Sequence, residues 1–200
     1  MTITTHRLPI IAPTLEVAGP VQGQWTYADY AALPEDGRRY EIIQGVLYMS
    51  PSPNAKHQSA ITYFLYYLFV QIQQGGLGRV FTAPFDVELG PGNVVQPDLL
   101  VVLKANEARI EFGKFVGAPD LVVEIVSPGT AGYDRRQKQD AYAEAGVPEY
   151  WIADPASQTI EVLVLEQDGA YHSKGVFEDQ ALLPSQIIPE LPVKVAHFFA

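Results

Sequence analysis

Helical spacing and strand alternation divide this chain into a succession of short elements. The most regular helical pattern places Ile61, Phe64, Leu65, Leu68, Phe69 and Ile72 at i, i+3, i+4, i+7, i+8 and i+11, which marks one apolar face. Asn54 is placed to cap that helix and Gly75-Gly76 to stop it. A second helix, "YDRRQKQDAYAEAG", closes at Gly146 with Pro148 beyond it, and Lys138, Ala141, Tyr142 and Ala145 share its inward face. "TYADYAALPEDG" predicts a short helix: Thr26 caps it, Asp29 completes a capping-box-like pattern and Pro34 ends it.

Between the helices the pattern is strand-like. "RRYEIIQGVLYMS" reads as a hairpin turning near Gln44-Gly45. "RVFTAPFDVEL" reads as one strand with Phe81, Ala83, Phe85, Val87 and Leu89 along one face; after the turn "GPGN", "VVQPDLLVVL" reads as another, with Pro97 near its start or at an edge. Residues 104–118 suggest a loop or short helix carrying Lys104, Arg109 and Lys114. Residues 120–127, within "PDLVVEIVSPGT", form the continuous apolar run of a central strand. "EYWIAD", "TIEVLVLEQ" and "AYHSKGVF" follow as strands, the last two joined across Asp168-Gly169, and the tail reads as docked loop plus a short terminal element. The elements amount to a single mixed α/β (α+β) domain over residues 25–200, preceded by an irregular arm over residues 1–24 with prolines at 9, 13 and 20.

Composition narrows this picture. With 48% apolar residues the chain can bury a large core, and with no cysteine it holds neither disulfides nor zinc-thiolate sites, which suits a reducing cytoplasm. The N-terminus lacks the pattern of a signal peptide, and the apolar stretch "ITYFLYYLFVQIQQ" is too short and too rich in tyrosine to span a bilayer, so a soluble, cytoplasmic protein is expected. The net charge of −10 speaks against a general nucleic-acid binder, yet the acidity sits at the ends. Residues 38–138 hold ten Lys/Arg against nine Asp/Glu, and a local patch such as Lys104, Arg109, Arg135 and Arg136 could meet phosphates.

The candidate chemistry begins with Glu124, a carboxylate in the middle of an apolar strand. Alternation sets Val122, Glu124 and Val126 on one face, and Asp98 starts the preceding predicted strand. Two carboxylates on neighbouring strands are stable together when a divalent cation joins them; Mg²⁺ takes one or two carboxylates and keeps waters and room for phosphate. Alternatively Glu124 pairs with a buried base or titrates neutral, and Asp98 caps a strand. Lys138, on the buried stripe of its helix, needs an anion that Glu124 and Asp98 would supply, unless it snorkels at the helix edge. His57 lies one turn before Ile61 and points inward, either into the same site or as a core histidine bonded to a carbonyl. Glu41, between Tyr40 and Ile42, is a further acid at the pocket or a surface residue.

"RYEIIQGVLYMSPSPNAKHQ", "QPDLLVV", "PDLVVEIVSPGT" and "DRRQKQDAYAEAGVPEYWIADP" together resemble the Uma-two family of proposed restriction endonucleases, part of the PD-(D/E)XK superfamily. The resemblance runs from about residue 25 to the C-terminus. It implies a restriction-endonuclease-like mixed sheet flanked by helices and a Mg²⁺- or Mn²⁺-dependent site that hydrolyses DNA phosphodiesters. The superfamily's two acids fall on Asp98 and Glu124, the implied metal ligands. Its lysine falls at position 126, where this chain has Val126, and Lys138 on the following helix matches the migrated lysine of Uma-like proteins. His57 and Glu41 match the histidine and glutamate of the first block, although Gln44-Gly45-Val46 replaces the usual Asp-Gly-Glu of the hairpin. Two other classes stay open from sequence: a non-catalytic nucleic-acid-binding or protein-interaction module on the same fold, and a metal-free carboxylate-pair hydrolase acting on sugars. A homodimer or higher homo-oligomer is equally open.

Overall fold

The computed structural model describes residues 12–14, 17–50, 53–126, 134–188 and 191–200. The chain opens with a two-residue strand, Ala12–Pro13 (β1), and the short helix Tyr27–Ala31 (α1), where Thr26 and Asp29 form the expected capping box. Arg39–Ile43 (β2) and Val46–Ser50 (β3) make the hairpin. Its turn requires Gly45, which has φ +72° and whose absent Cβ would lie 2.4 Å from the Gly23 carbonyl oxygen. The long helix Ala55–Leu68 (α2) widens into a π-helix over Phe69–Gln74. Gly78–Thr82 (β4), Asp86–Gly90 (β5), Asn93–Val95 (β6), Leu99–Leu103 (β7), Ile110–Glu111 (β8), Lys114–Val116 (β9) and Leu121–Ile125 (β10) follow. A π-helical turn over Asp134–Lys138 leads into Gln139–Ala145 (α3), and Glu149–Asp154 (β11), Thr159–Leu165 (β12) and Tyr171–Glu178 (β13) close the strand series.

These strands form two sheets, ordered β1-β3-β2-β6-β5-β9-β8 and β13-β12-β11-β10-β7-β4. The second is mixed: β10 runs parallel to β11 and antiparallel to β7. Period-two alternation sorts its side chains into two cores. Leu99, Val101, Leu121, Val123, Ile125 and Trp151 pack with Phe64, Leu68 and Ile72 of the long helix and with Phe198 of the tail. Leu100, Val102, Val122, Val126, Tyr150 and Ile152 face the other way, against Ala141 and Tyr142 of α3 and against Ile43, Val87, Val95 and Phe115 of the first sheet. Glu124 lies in this second layer, between the two sheets and α3.

The architecture corrects several sequence expectations. "RVFTAPFDVEL" is two strands in different sheets, separated at Ala83-Pro84, whose peptide bond is cis. "VVQPDLLVVL" is also two, β6 in the first sheet and β7 in the second, with Gln96-Pro97-Asp98 as the connector. Asp98 thus precedes its strand instead of starting it. In both places a proline, which cannot donate to a ladder, marks the change of sheet. The buried stripe of α2 is His57, Ala60, Phe64 and Leu68, continued by Ile72; Ile61 and Leu65 flank it and Phe69 is exposed. The wider π-turn brings Ile72 back into line with Leu68. Residues 104–118 contain a 3₁₀ helix over Lys104–Arg109 and also the small strands β8 and β9. The arm is not wholly irregular, because β1 pairs with β3 at Ala12↔Met49 and Pro13↔Tyr48. Residues 127–130 of the stretch around Glu124 lie outside the described residues.

Candidate functional site

The site forms where the connector between the sheets meets the end of β10. The antiparallel ladder of β7 with β10 ends at Leu99↔Val123, so the next residue on each side is Asp98 and Glu124. Past the end of that ladder the Ile125 amide finds no backbone partner on β7, and it donates instead to Asp98 Oδ2 at 2.9 Å. Glu41 does the same for the other sheet. Strand β2 meets β6 at Ile42↔Val94, and beyond that pair the Gln96 amide donates to Glu41 Oε1 at 2.8 Å. Each carboxylate completes a sheet edge and is held in place by doing so.

Around these fixed acids stand two cations and a histidine. Lys138 Nζ lies 2.8 Å from both Glu124 Oε1 and Glu41 Oε1, and the Tyr142 hydroxyl donates to Glu124 Oε1 at 2.7 Å. One turn of helix separates Lys138 from Tyr142, which is why both reach the same carboxylate. Arg39 Nη1 lies 3.3 Å from Asp98 Oδ1, and its Nη2 donates to the Gln96 carbonyl and stands 3.8 Å from Glu41 Oε1. His57 Nε2 is hydrogen-bonded to Asp98 Oδ2 at 3.0 Å, while its backbone amide donates to the cap Asn54. The order Asp98, Arg39, Glu41, Lys138, Glu124 alternates in charge. It joins the two sheets and the turn before α3.

All five residues singled out from sequence, Glu41, His57, Asp98, Glu124 and Lys138, therefore come together, and all are buried. Lys138 is only 2% exposed and does not snorkel; Glu124 pairs with that buried base; Glu41 is interior, not surface; and His57 binds a carboxylate and not a carbonyl. Sequence reasoning missed Arg39, Gln96 and the role of Tyr142. Arg39 had a signal: it stands two residues before Glu41 on a strand, hence on the same face. In the basic patch expected from sequence, the exposed Arg109 donates to the Val116 and Ala118 carbonyls. The side chain of Arg135 lies outside the described residues.

Burial and charge act in opposite directions on the acids. Desolvation pushes Asp98 upward, but its hydrogen bond to His57 and the nearby Arg39 and Lys138 prevail and hold it low, at about 2. Glu124 goes the other way: burial raises it, Lys138 and Arg39 oppose this, and Asp98 and Glu41 add to the rise. Burial and the Glu124 charge push the Tyr142 phenol well above its ordinary range, so it stays a hydrogen-bond donor. A cleft of about 210 Å³ lined by Asn54, Lys56, His57, Val126 and the Asp154-Pro155-Ala156 turn meets the cluster at His57. A second cleft shares Lys56 and Pro155 with it.

A metal ion would meet carboxylate oxygens at this cluster. Among the described residues, no group of three or more His, Asp or Glu side chains is arranged to hold one. Asp98 and Glu124 are hard oxygen donors just past the end of the β7–β10 ladder, which suits Mg²⁺ or Mn²⁺ completing its shell with water, and does not suit a caged all-protein site. No helix among the described residues is long and apolar enough to cross a membrane.

Residues 27–196 match the family model described as "Uma2: Putative restriction endonuclease". The uncharacterized protein slr1290 of Synechocystis sp. (strain ATCC 27184 / PCC 6803 / Kazusa) is 26% identical over 133 residues, covering 66% of this chain and 68% of that protein. The crystal structure of a putative nuclease belonging to DUF820 from Anabaena variabilis ATCC 29413 superimposes with a TM-score of 0.74 at 24% identity, over 88% of this chain and 97% of that one. The likeness establishes the restriction-endonuclease-like mixed α/β fold.

Proposed function

Because the chain belongs to the Uma2 family, whose model spans residues 27–196, we propose that it is a metal-dependent endonuclease that hydrolyses DNA phosphodiester bonds at the cluster around Asp98 and Glu124. The observation that carries this reading is the meeting of Asp98, Glu124 and Lys138 in one buried site beside an open cleft.

Asp98 and Glu124 would hold Mg²⁺ or Mn²⁺, which when bound supplies the Lewis acidity that activates water and offsets charge on the phosphorane. Both carboxylates are already oriented by protein donors, Asp98 by the Ile125 amide and His57, and Glu124 by Lys138 and Tyr142. The chain's own groups do the rest. Lys138, held by Glu41 and Glu124, supplies a positive charge where the superfamily lysine would stand, and orients the water or steadies the charge developing on the phosphate. Tyr142 fixes the rotamer of Glu124, and His57 fixes that of Asp98. Lys56 at the mouth of the cleft offers a phosphate contact. The overall negative field makes binding depend on such short-range contacts, so affinity should fall steeply with salt.

The test is cleavage of linear, supercoiled and single-stranded DNA by the purified chain in Mg²⁺, Mn²⁺ or EDTA, together with Mn²⁺ calorimetry. Cleavage and binding that Asp98→Asn and Glu124→Gln both abolish would support the reading; Mn²⁺ binding unchanged in both variants would sink it. A non-catalytic binding module is the second reading, and the mutual neutralisation of acids and cations favours it. DNA binding without cleavage in any metal would select it.

A further inference from the structure

We propose that Arg39 is a positioning residue of this site: with Glu41 it clamps the Gln96 peptide and thereby presents the Asp98 carboxylate to β10. Its significance for catalysis rests on the endonuclease reading; the positioning itself does not.

The clamp is visible in the backbone. Glu41 accepts the Gln96 N–H at 2.8 Å, and Arg39 donates to the carbonyl of the same residue. Both side chains leave the same face of β2, as residues two apart on a strand must. Gln96 is thus gripped at both polar groups by one strand. Pro97 follows with its φ fixed by its ring, and Asp98 comes next, so little freedom remains between the clamped peptide and the carboxylate. Arg39 then reaches past the connector to Asp98 Oδ1 at 3.3 Å, leaving Oδ2 to His57 and the Ile125 amide. The guanidinium fork suits this task, since it can serve a carbonyl and a carboxylate at once, which an ammonium does less well.

A further network braces the connector from the other side. The Gln96 side-chain amide donates to Asp86 Oδ1 at 2.8 Å and to the Tyr30 hydroxyl at 3.0 Å, and Tyr30 itself donates to Asp86. Arg39 is the cationic member of this arrangement. Its side chain is 24% exposed, unlike the fully interior Glu41. Burial works against the guanidinium charge, but Glu41, Asp98 and Glu124 together outweigh it and keep Arg39 firmly protonated.

Amide hydrogen exchange in the metal-free full-length protein tests the inference without reference to cleavage. Arg39→Met keeps the length and removes the fork; Arg39→Lys keeps the charge. The expected result for Arg39→Met is roughly tenfold faster exchange at the Ile125 and Gln96 amides, the loss expected for one charge-assisted hydrogen bond. Val123 and Ile152, inside the ladders, should keep their wild-type protection, and Arg39→Lys should fall between. Uniform acceleration at all four amides would mean general destabilisation, and no change at Ile125 and Gln96 would mean that Arg39 positions nothing; either overturns the proposal. Should Arg39→Met not fold, Arg39→Lys alone decides, because a selective rise at Ile125 and Gln96 supports the clamp and a uniform or absent rise refutes it. Selective loosening in a protein that never cleaves DNA would refute the endonuclease reading and leave the clamp standing.

Discussion

Replacing Lys138 with methionine would test the electrostatic account of the cluster most directly. Methionine keeps the unbranched stem and removes the ammonium that lies 2.8 Å from both Glu41 and Glu124. Glu124 then keeps its bond from Tyr142, and Glu41 keeps the Gln96 amide and a longer contact with Arg39 at 3.8 Å, but neither has a cation at hydrogen-bond distance. Breaking a buried ion pair by removing one partner destabilises by about 3–5 kcal/mol, because the remaining charge is stranded. For a chain of this size that corresponds to a fall in melting temperature of roughly 6–20 °C. The loss should depend on pH. Burial already raises Glu124 above its ordinary value of 4.5, and Lys138 is the largest influence opposing that rise. Without Lys138 the folded state prefers protonated Glu124 more strongly, so the stability this proton confers is present below pH 4.5 and lost as pH rises through the raised folded value. The deficit of Lys138→Met should therefore be small in acid and full at neutral pH. Urea denaturation at both pH values, with Lys138→Met, Glu124→Gln and the double variant, gives a cycle whose coupling should be roughly 1–3 kcal/mol. A deficit below about 1 kcal/mol, or one equal at both pH values, would refute the claim that the ammonium is what makes the buried acids tolerable.

Two further substitutions probe how the frame around the site is fixed. Glu149 is buried and accepts the Trp151 indole N–H, the Ser185 hydroxyl and the Gln186 amide, each at 2.7 Å. Glu149→Gln turns an acceptor into a donor facing donors, and should lower the stability measured by urea denaturation by roughly 1–3 kcal/mol; an unchanged midpoint would mean that the tail is held by its apolar side chains alone. Gly45→Ala puts a Cβ at a positive φ and against the Gly23 carbonyl, so it should destabilise by roughly 1–3 kcal/mol in the same assay, and a neutral result would contradict the tight turn.

What the sequence discloses here depends on whether a pattern has a period. Glu124 and Lys138 stood out because each breaks an apolar pattern, one of period two and one of helical period, and a polar side chain on a buried face must find a partner. The structure supplies the partner that the patterns demanded, each for the other. Changes of sheet carry no such mark. "RVFTAPFDVEL" and "VVQPDLLVVL" alternate well enough to pass as single strands, because β-rich residues look alike whether the chain continues in one sheet or crosses to the next. Only Pro84 and Pro97 mark the crossings, and a proline at 97 suits the start of a strand or an edge as well as a bridge. That ambiguity hides the consequence that matters most for the site. A connector between sheets puts Asp98 within reach of both, so Arg39, which stands beside Glu41 on β2, becomes its neighbour, whereas sequence alone offers only Glu41 from that strand. Arg39 was lost for a related reason, since an arginine at the start of a strand ordinarily faces water. Its spacing from Glu41 set the two on one face, but that spacing becomes informative only once Glu41 is known to point inward. The local signals thus locate the acids one by one. Their assembly is a property of the two-sheet topology, in which long-range pairing and not local pattern decides which charges become neighbours.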